Sequence, residues 1–188
     1  MTGQLASLCQ RVNEIKNDAK PKSTPLFGPR LDHVILQCRD PPPSNFRLIR
    51  DPSVPILMIA AGSGVAPFIG FLEEWEKIQG QKASLIFGCR NEESFIYKKK
   101  LEEFKEKGVL KGLHLAFSRI EPKKYVQDIV TDMKQDVIDL IDKNGIVYVC
   151  GDGAGMGLAI KNCFIEILGK ERYFKLMEEK RIREDLWR

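Results

Sequence analysis

From Ile56 onward the chain alternates short apolar, β-rich runs with longer amphipathic stretches, and that alternation leaves few folds open. Ile56-Leu57-Met58-Ile59, Ser84-Leu85-Ile86-Phe87, Leu113-His114-Leu115-Ala116-Phe117 and Ile146-Val147-Tyr148-Val149 read as strands. Near-continuous apolar runs of this length suit a parallel sheet buried on both faces. Between them, Phe68, Phe71, Leu72 and Trp75 recur at helical spacing, as do Leu101 with Phe104, and Val126 with Ile129, Val130 and Met133. A further helix is expected from about Met156 to Leu168 and a last one around Tyr173 to Lys180, leading into Leu186-Trp187-Arg188. The expected class is α/β, a Rossmann-like parallel sheet with helices on both faces.

Residues 1–55 read differently. Proline punctuates them at 21–29 and 41–43, and one run, His33-Val34-Ile35-Leu36, is strand-like. The stretch is too short to make a domain alone and reads as the trailing end of one.

Composition narrows the function classes. Thirty Lys+Arg against 26 Asp+Glu give a formal net charge of +4, with the basic residues spread among acidic ones, which argues against a nucleic-acid partner. Lys98, Lys99 and Lys100 precede Glu102 and Glu103, a spacing that suits a solvated helix face with pairs along the helix. The five cysteines lack the short paired spacing of metal sites or disulfide frameworks, so a reducing compartment is expected. The segment from Met1 to Lys16 has no apolar core, and no window approaches the roughly 18 apolar residues of a membrane span. A soluble, cytoplasmic chain with no metal is the expectation.

The candidate chemistry gathers where strands end. The first strand runs into Ala60-Ala61-Gly62-Ser63-Gly64-Val65-Ala66-Pro67, a glycine turn feeding a helix whose first turn accepts a proline. Such a turn lets backbone approach a ligand closely, and the free N–H groups of the helix start favour a pyrophosphate. The turn departs from the dinucleotide fingerprint because no glycine follows three residues after Gly64, and a tight turn with no ligand is its alternative.

The third strand ends in Phe117-Ser118-Arg119, followed by Lys123, Lys124, Tyr125 and Gln127 at the next helix start. Ligands in open α/β sheets bind beyond the carboxyl ends of the strands, so this cluster is expected to face the same crevice as the glycine turn. A guanidinium fork, an ammonium point charge and two hydroxyls suit a phosphate dianion. An NAD site would want a carboxylate for the ribose 2′-hydroxyl, and none stands at Ser118-Arg119, which favours NADP. A solvated helix start is the alternative.

The fourth strand ends in Val149-Cys150-Gly151-Asp152-Gly153-Ala154-Gly155-Met156, a second glycine-rich turn. Cys150 is expected to open onto the cleft, while Cys89 and Cys163 are expected in the core. Near the chain end, Trp187 either packs locally or stacks on a ligand.

Together these segments resemble the diflavin reductases, the family that includes microsomal cytochrome reductase. The matching stretches follow family order: Phe46-Arg47-Leu48, Gly62-Ser63-Gly64-Val65-Ala66-Pro67-Phe68-Ile69-Gly70-Phe71, Phe87-Gly88-Cys89-Arg90, Phe117-Ser118-Arg119, Lys124-Tyr125-Val126-Gln127, Tyr148-Val149-Cys150-Gly151-Asp152 and Asp185-Leu186-Trp187. Asp51-Pro52-Ser53-Val54-Pro55 and Glu178-Glu179-Lys180-Arg181 look most like the methionine synthase reductases. The resemblance implies a ferredoxin-NADP reductase-type NADP-binding domain over 51–188, preceded over 1–50 by the tail of an FAD-binding β-barrel domain.

It also implies roles. Ser63 would lie near nicotinamide and pyrophosphate, Arg90 on the diphosphate side, and Ser118, Arg119, Lys123 and Tyr125 around the 2′-phosphate with Gln127 nearby, while Lys124, Asp152 and Met156 would also bind the cofactor. Cys150 and Asp185 would flank the hydride-transfer position, Trp187 would cover the flavin until nicotinamide displaces it, and Ser7, in Leu5-Ala6-Ser7, would belong to an FAD-pyrophosphate turn. By resemblance, hydride passes from NADPH to FAD, and electrons continue through FMN to a protein acceptor, methionine synthase or a cytochrome. The FAD-holding arginine-tyrosine-serine motif has no counterpart in the chain, and Ala159 stands where the family often has an acidic residue. Two other readings compete: an S-adenosylmethionine-dependent methyltransferase, which Cys89-Arg90 at the second strand end disfavours, and a non-catalytic nucleotide-binding module.

Overall fold

The computed structural model describes residues 45–187 apart from 79 and 81, so Ser7 and the run at 33–36 lie outside the described residues. β1 (Ile56–Ala61), β2 (Ala83–Cys89), β3 (Leu110–Phe117), β4 (Ile146–Asp152) and β5 (Ile182–Trp187) form one sheet. Its order is β3-β2-β1-β4-β5, and every pairing is parallel. β1 lies in the middle, with a hydrogen-bonded neighbour on each side and Ile56 to Ala60 all buried. A strand covered on both faces has no solvent side to encode, which is why its sequence does not alternate.

Helices cover both faces. α1 (Ala66–Lys77) and α2 (Lys98–Glu106) pack Phe68, Phe71, Leu72, Trp75, Leu101 and Phe104 against Met58, Leu85, Phe87 and Tyr148. On the opposite face, α3 (Val126–Asp132), α4 (Lys134–Asp142), α5 (Leu158–Leu168) and α6 (Lys170–Glu178) bury Val130, Ile141, Phe164 and Leu176 against Ile59, Ile86 and Val149. The α/β class expected from the alternation is the one observed. No helix among the described residues is long and apolar enough to cross a membrane, and no cluster of potential metal ligands occurs among them.

Some local expectations shift. A fifth strand, β5, occupies the edge where only a terminal tail was expected. Its Arg183-Glu184-Asp185 run reads as loop because charged residues are tolerated on an edge strand and not on a central one. The apolar series from Val126 to Met133 is broken after Asp132, and α4 begins at Lys134. The lysine run also behaves differently: Lys100 bonds Glu73 on α1 instead of a glutamate of its own helix. Lys107 reaches Glu76 at 2.6 Å, so both ion pairs staple α2 to α1.

The described residues fall within one compact unit. Within it Phe46 is 4% exposed, its ring 5.9 Å from Phe68 and Phe71 and 5.4 Å from Tyr148. The Trp75 indole donates to the Ile49 carbonyl at 2.7 Å. The stretch at 46–49 therefore packs in and against the core of the sheet.

Candidate functional site

Strand order reverses between β1 and β4, and an open sheet parts at such a reversal to leave a crevice beyond the strand ends. The glycine turn sits there as a short 3₁₀ segment, Gly62–Val65, leading into α1 with Pro67 in the first turn. Gly62 has φ +55, a left-handed conformation that favours glycine. At Gly64 the constraint is space: a β-carbon there would lie 2.2 Å from the Cys150 carbonyl oxygen, so the turn presses directly on the end of β4. Ser63, between them, is exposed at the crevice mouth.

A cavity of about 670 Å³ opens beside this turn, lined by Ala61, Gly62, Gly88, Cys89, Arg90, Ser94, Ala116, Ser118, Lys124, Tyr125, Val126, Gln127, Gly155, Met156 and Ala159. Residues far apart in sequence meet here because β1, β2 and β3 end side by side. The loop after β3 is tied to the end of β2: Ser118 N–H donates to the Cys89 carbonyl at 3.0 Å and Arg119 N–H to the Arg90 carbonyl at 2.9 Å. Lys124 N–H returns to the Phe117 carbonyl at 3.0 Å, and Tyr125 N–H donates to Asp128 at 2.7 Å, starting α3. These bonds hold the Ser118 hydroxyl, the Lys124 ammonium and the half-exposed Tyr125 ring around one opening.

The cations differ in how free they are. Lys124 Nζ lies 2.7 Å from Asp132, and that hydrogen bond and charge raise its pKa. Lys123 stands 3.4 Å from Glu121. Arg90 and Arg119 are exposed and make no ion pair among the described residues. An incoming anion would have to draw Lys124 away from Asp132, whereas the two guanidinium groups are ready to bind it.

The structure gathers several of the sequence-derived candidates at this cavity. Arg90, Ser118, Lys124, Tyr125, Gln127 and Met156 line the cavity, while Arg119 and Lys123 flank it on the loop after β3. Asp152 is exposed and caps the turn that follows β4, accepting from Gly155 N–H at 2.5 Å. Ser94, Gly155 and Cys89 are among the lining residues that the sequence did not single out as site candidates. Ser94 carried a faint signal, since Asn91 three residues earlier caps its backbone and hydroxyl at 3.0 and 2.6 Å. Ala159 also lines the cavity, so the expected acidic position there is an apolar wall.

A second group stands toward the other edge of the sheet. Cys150 on β4 is in register with Asp185 on β5, and Asp152 with Trp187. Cys150 does not open onto the cleft as the sequence suggested: it is 1% exposed, because its side chain points into the core shared with Val65 and Phe68. Burial, with the Asp185 charge beside it, pushes its pKa up to about 12, so it is a neutral thiol. Cys89 and Cys163 are buried as expected. Asp185 is half-buried, and desolvation raises its carboxyl pKa. Trp187 is 43% exposed.

Comparisons with known proteins identify the family. Residues 58–161 match the family described as the oxidoreductase NAD-binding domain. The chain is 43% identical over 132 residues to bifunctional cytochrome P450/NADPH--P450 reductase 1 of Bacillus subtilis (strain 168), covering 66% of this chain and 12% of that protein. It is 36% identical over 170 residues to methionine synthase reductase of Homo sapiens, covering 77% of this chain and 24% of the relative. It is 38% identical over 136 residues to NADPH--cytochrome P450 reductase of Sus scrofa, covering 68% and 20%. The chain thus spans a quarter or less of the length of these relatives. With a parallel sheet reversing at β1 and β4, a cationic cavity at its carboxyl edge and this pattern of relatives, the chain belongs to the oxidoreductase NAD-binding domain family, as the NADP-binding region of the diflavin reductases.

Proposed function

We propose that the chain binds NADPH across the carboxyl edge of its sheet and presents the nicotinamide for hydride transfer to a flavin. The observation that carries this is the cavity itself: Arg90, Ser118, Lys124 and Tyr125 converge on one opening beside a glycine turn at the strand-order reversal. Its volume of about 670 Å³ suits the adenosine and phosphate half of a dinucleotide, within the usual range for small-molecule sites of roughly 300–1,000 Å³. Arg119 and Lys123 extend the positive surface for the 2′-phosphate, and Ser118 and Tyr125 supply hydroxyl donors.

At the other edge, Asp185 would place a negative charge beside a bound nicotinamide, where it would favour the positive charge that hydride loss creates. Cys150, neutral and buried, forms the packed wall that keeps Asp185 in place. Ser63 and Asp152 would border the bound cofactor, and Trp187 would cover the flavin-facing side when nicotinamide is not there. FAD, when held by the rest of the protein, supplies the hydride acceptor. In a full-length protein FMN would carry the electrons onward to a protein acceptor, for which we favour methionine synthase: the methionine synthase reductase relatives align over 170 residues, against 132 for the Bacillus subtilis protein. A cytochrome is the competing acceptor, and the names of other relatives support it.

Titration of the full chain with NADP⁺ and NAD⁺ tests the reading. NADP⁺ should bind tighter, and Arg119→Ala should weaken it about tenfold or more, since one charge-assisted bond contributes roughly 1.5–3 kcal/mol. NAD⁺ affinity should barely move. Equal loss for both cofactors would place Arg119 away from the 2′-phosphate.

A further inference from the structure

Arg183 lies two residues before Asp185 on β5, and side chains alternate along a strand, so the two share a face. Arg183 is in register with Tyr148 as Asp185 is with Cys150. Its Nη1 donates to the Arg47 carbonyl at 2.9 Å and to the Tyr148 hydroxyl at 3.3 Å. Its Nε donates to the Lys180 carbonyl at 2.8 Å, and the guanidinium carbon sits 5.5 Å from the centre of the Tyr148 ring. The Tyr148 hydroxyl donates to the same Arg47 carbonyl at 2.6 Å. The segment it grips is itself anchored, by Phe46 in the core and by the Trp75 indole on the Ile49 carbonyl.

We propose that Arg183 is a positioning residue, clasping the entering segment at Arg47 to the edge strand β5 and so fixing where Asp185 and Trp187 stand. An edge strand is held by a hydrogen-bond ladder on one side only, and its end frays unless side chains anchor it. On the other face of β5, Ile182 is buried and Leu186 packs on the core, which holds the strand down without fixing its outer face. The clasp supplies that second constraint. A lysine at 183 would offer a point charge without the planar fork, so it could reach a carbonyl but not cover the Tyr148 ring and the Lys180 carbonyl together. The consequence for hydride transfer rests on the roles proposed above for Asp185 and Trp187; the clasp itself does not.

The sheet order makes the idea testable in the full chain, because β5 and the phosphate cluster after β3 lie at opposite edges. Trp75 is 1% exposed and Trp187 43% exposed, so acrylamide quenching of tryptophan fluorescence reports on Trp187. Arg183→Met keeps the stem and removes the donors. It should raise the quenching constant about twofold as the ring goes from 43% to full exposure. The affinity for 2′,5′-ADP, which reaches only the phosphate cluster, should stay within about twofold because distant sites act independently. Arg183→Lys should fall between the parent and Arg183→Met, and it decides the matter if the methionine variant does not fold. Unchanged quenching would overturn the proposal, as would a loss of 2′,5′-ADP affinity that tracks quenching in both variants, the mark of global loosening. If the unsubstituted chain fails to bind 2′,5′-ADP, the phosphate site is what fails; circular dichroism then serves as the control for global loosening and quenching still decides the clasp.

Discussion

At the residue scale, burial decides which groups are charged. Cys150 has neither exposure nor a cation to stabilise a thiolate, and Asp185 beside it raises the thiol further, so packing is the role its chemistry leaves it. Asp185 is different: desolvation raises its pKa, yet it must be ionised to stabilise a developing positive charge. A carboxyl whose folded pKa exceeds its unfolded value near 4 takes up protons on folding. It therefore subtracts from stability as pH rises from the unfolded pKa through the folded one, and the loss is complete above. Asp185→Asn should accordingly melt higher than the parent at pH 7, with the difference shrinking as pH falls toward about 4, as calorimetry across that range would reveal. In a full-length protein the same substitution should slow hydride transfer about a hundredfold, the scale of losing one preorganised electrostatic group, read by stopped-flow flavin absorbance. A variant that is stabilised without slowing would remove Asp185 from the chemistry.

At the element scale, the glycine turn shows how two neighbouring structures can share one atom's worth of space. Gly64 packs on the Cys150 carbonyl, and a methyl group there would lie 2.2 Å from it, so Gly64→Ala must push the turn away from β4. We expect a cost of about 1–3 kcal/mol, typical of overpacking, by denaturant unfolding. Gly70 provides the contrast. It lies within α1 with nothing inside 4 Å of the point where a β-carbon would stand, and Gly70→Ala should stabilise the chain by roughly 0.5–1 kcal/mol from helix propensity. Equal effects at the two positions would show that the turn has room to move. β5 illustrates the complementary case, an element that its own composition does not announce and that its neighbour β4 creates.

At the scale of the whole molecule, the candidate site spans the sheet. Cations gather beyond β3 and Asp185 and Trp187 on β5, four interstrand spacings of about 4.8 Å apart, a separation that suits an extended dinucleotide and not a mononucleotide. Binding energy from one edge can then drive displacement at the other. In a full-length protein, Trp187→Ala should narrow the preference for NADPH over NADH, because NADH lacks the 2′-phosphate contacts that help displace an indole stacked for about 0.5–1.5 kcal/mol. An unchanged ratio with a lower melting temperature would make Trp187 a structural residue. The entering segment belongs to the same whole: Phe46→Ala should cost about 3–5 kcal/mol in chemical unfolding of the chain, as expected for deleting a ring from a packed core.

The apolar runs of the four inner strands, the glycine turn with Pro67 and the Ser118 to Gln127 cluster were legible in the sequence because each depends on local rules: burial on two faces, a positive φ, a strand end followed by a helix start. β5, the core position of Phe46 and the burial of Cys150 were not. Each is set by partners distant along the chain, with β5 paired to β4, Phe46 enclosed by Phe68, Phe71 and Tyr148, and Cys150 on the face of β4 that α1 covers. A residue's own neighbours specify its backbone preference, whereas its exposure and charge state depend on what the folded chain brings against it. For this protein the sequence determined the fold class and the cationic end of the sheet, and tertiary packing decided how the opposite edge is built, since an edge strand takes its place only from the elements beside it.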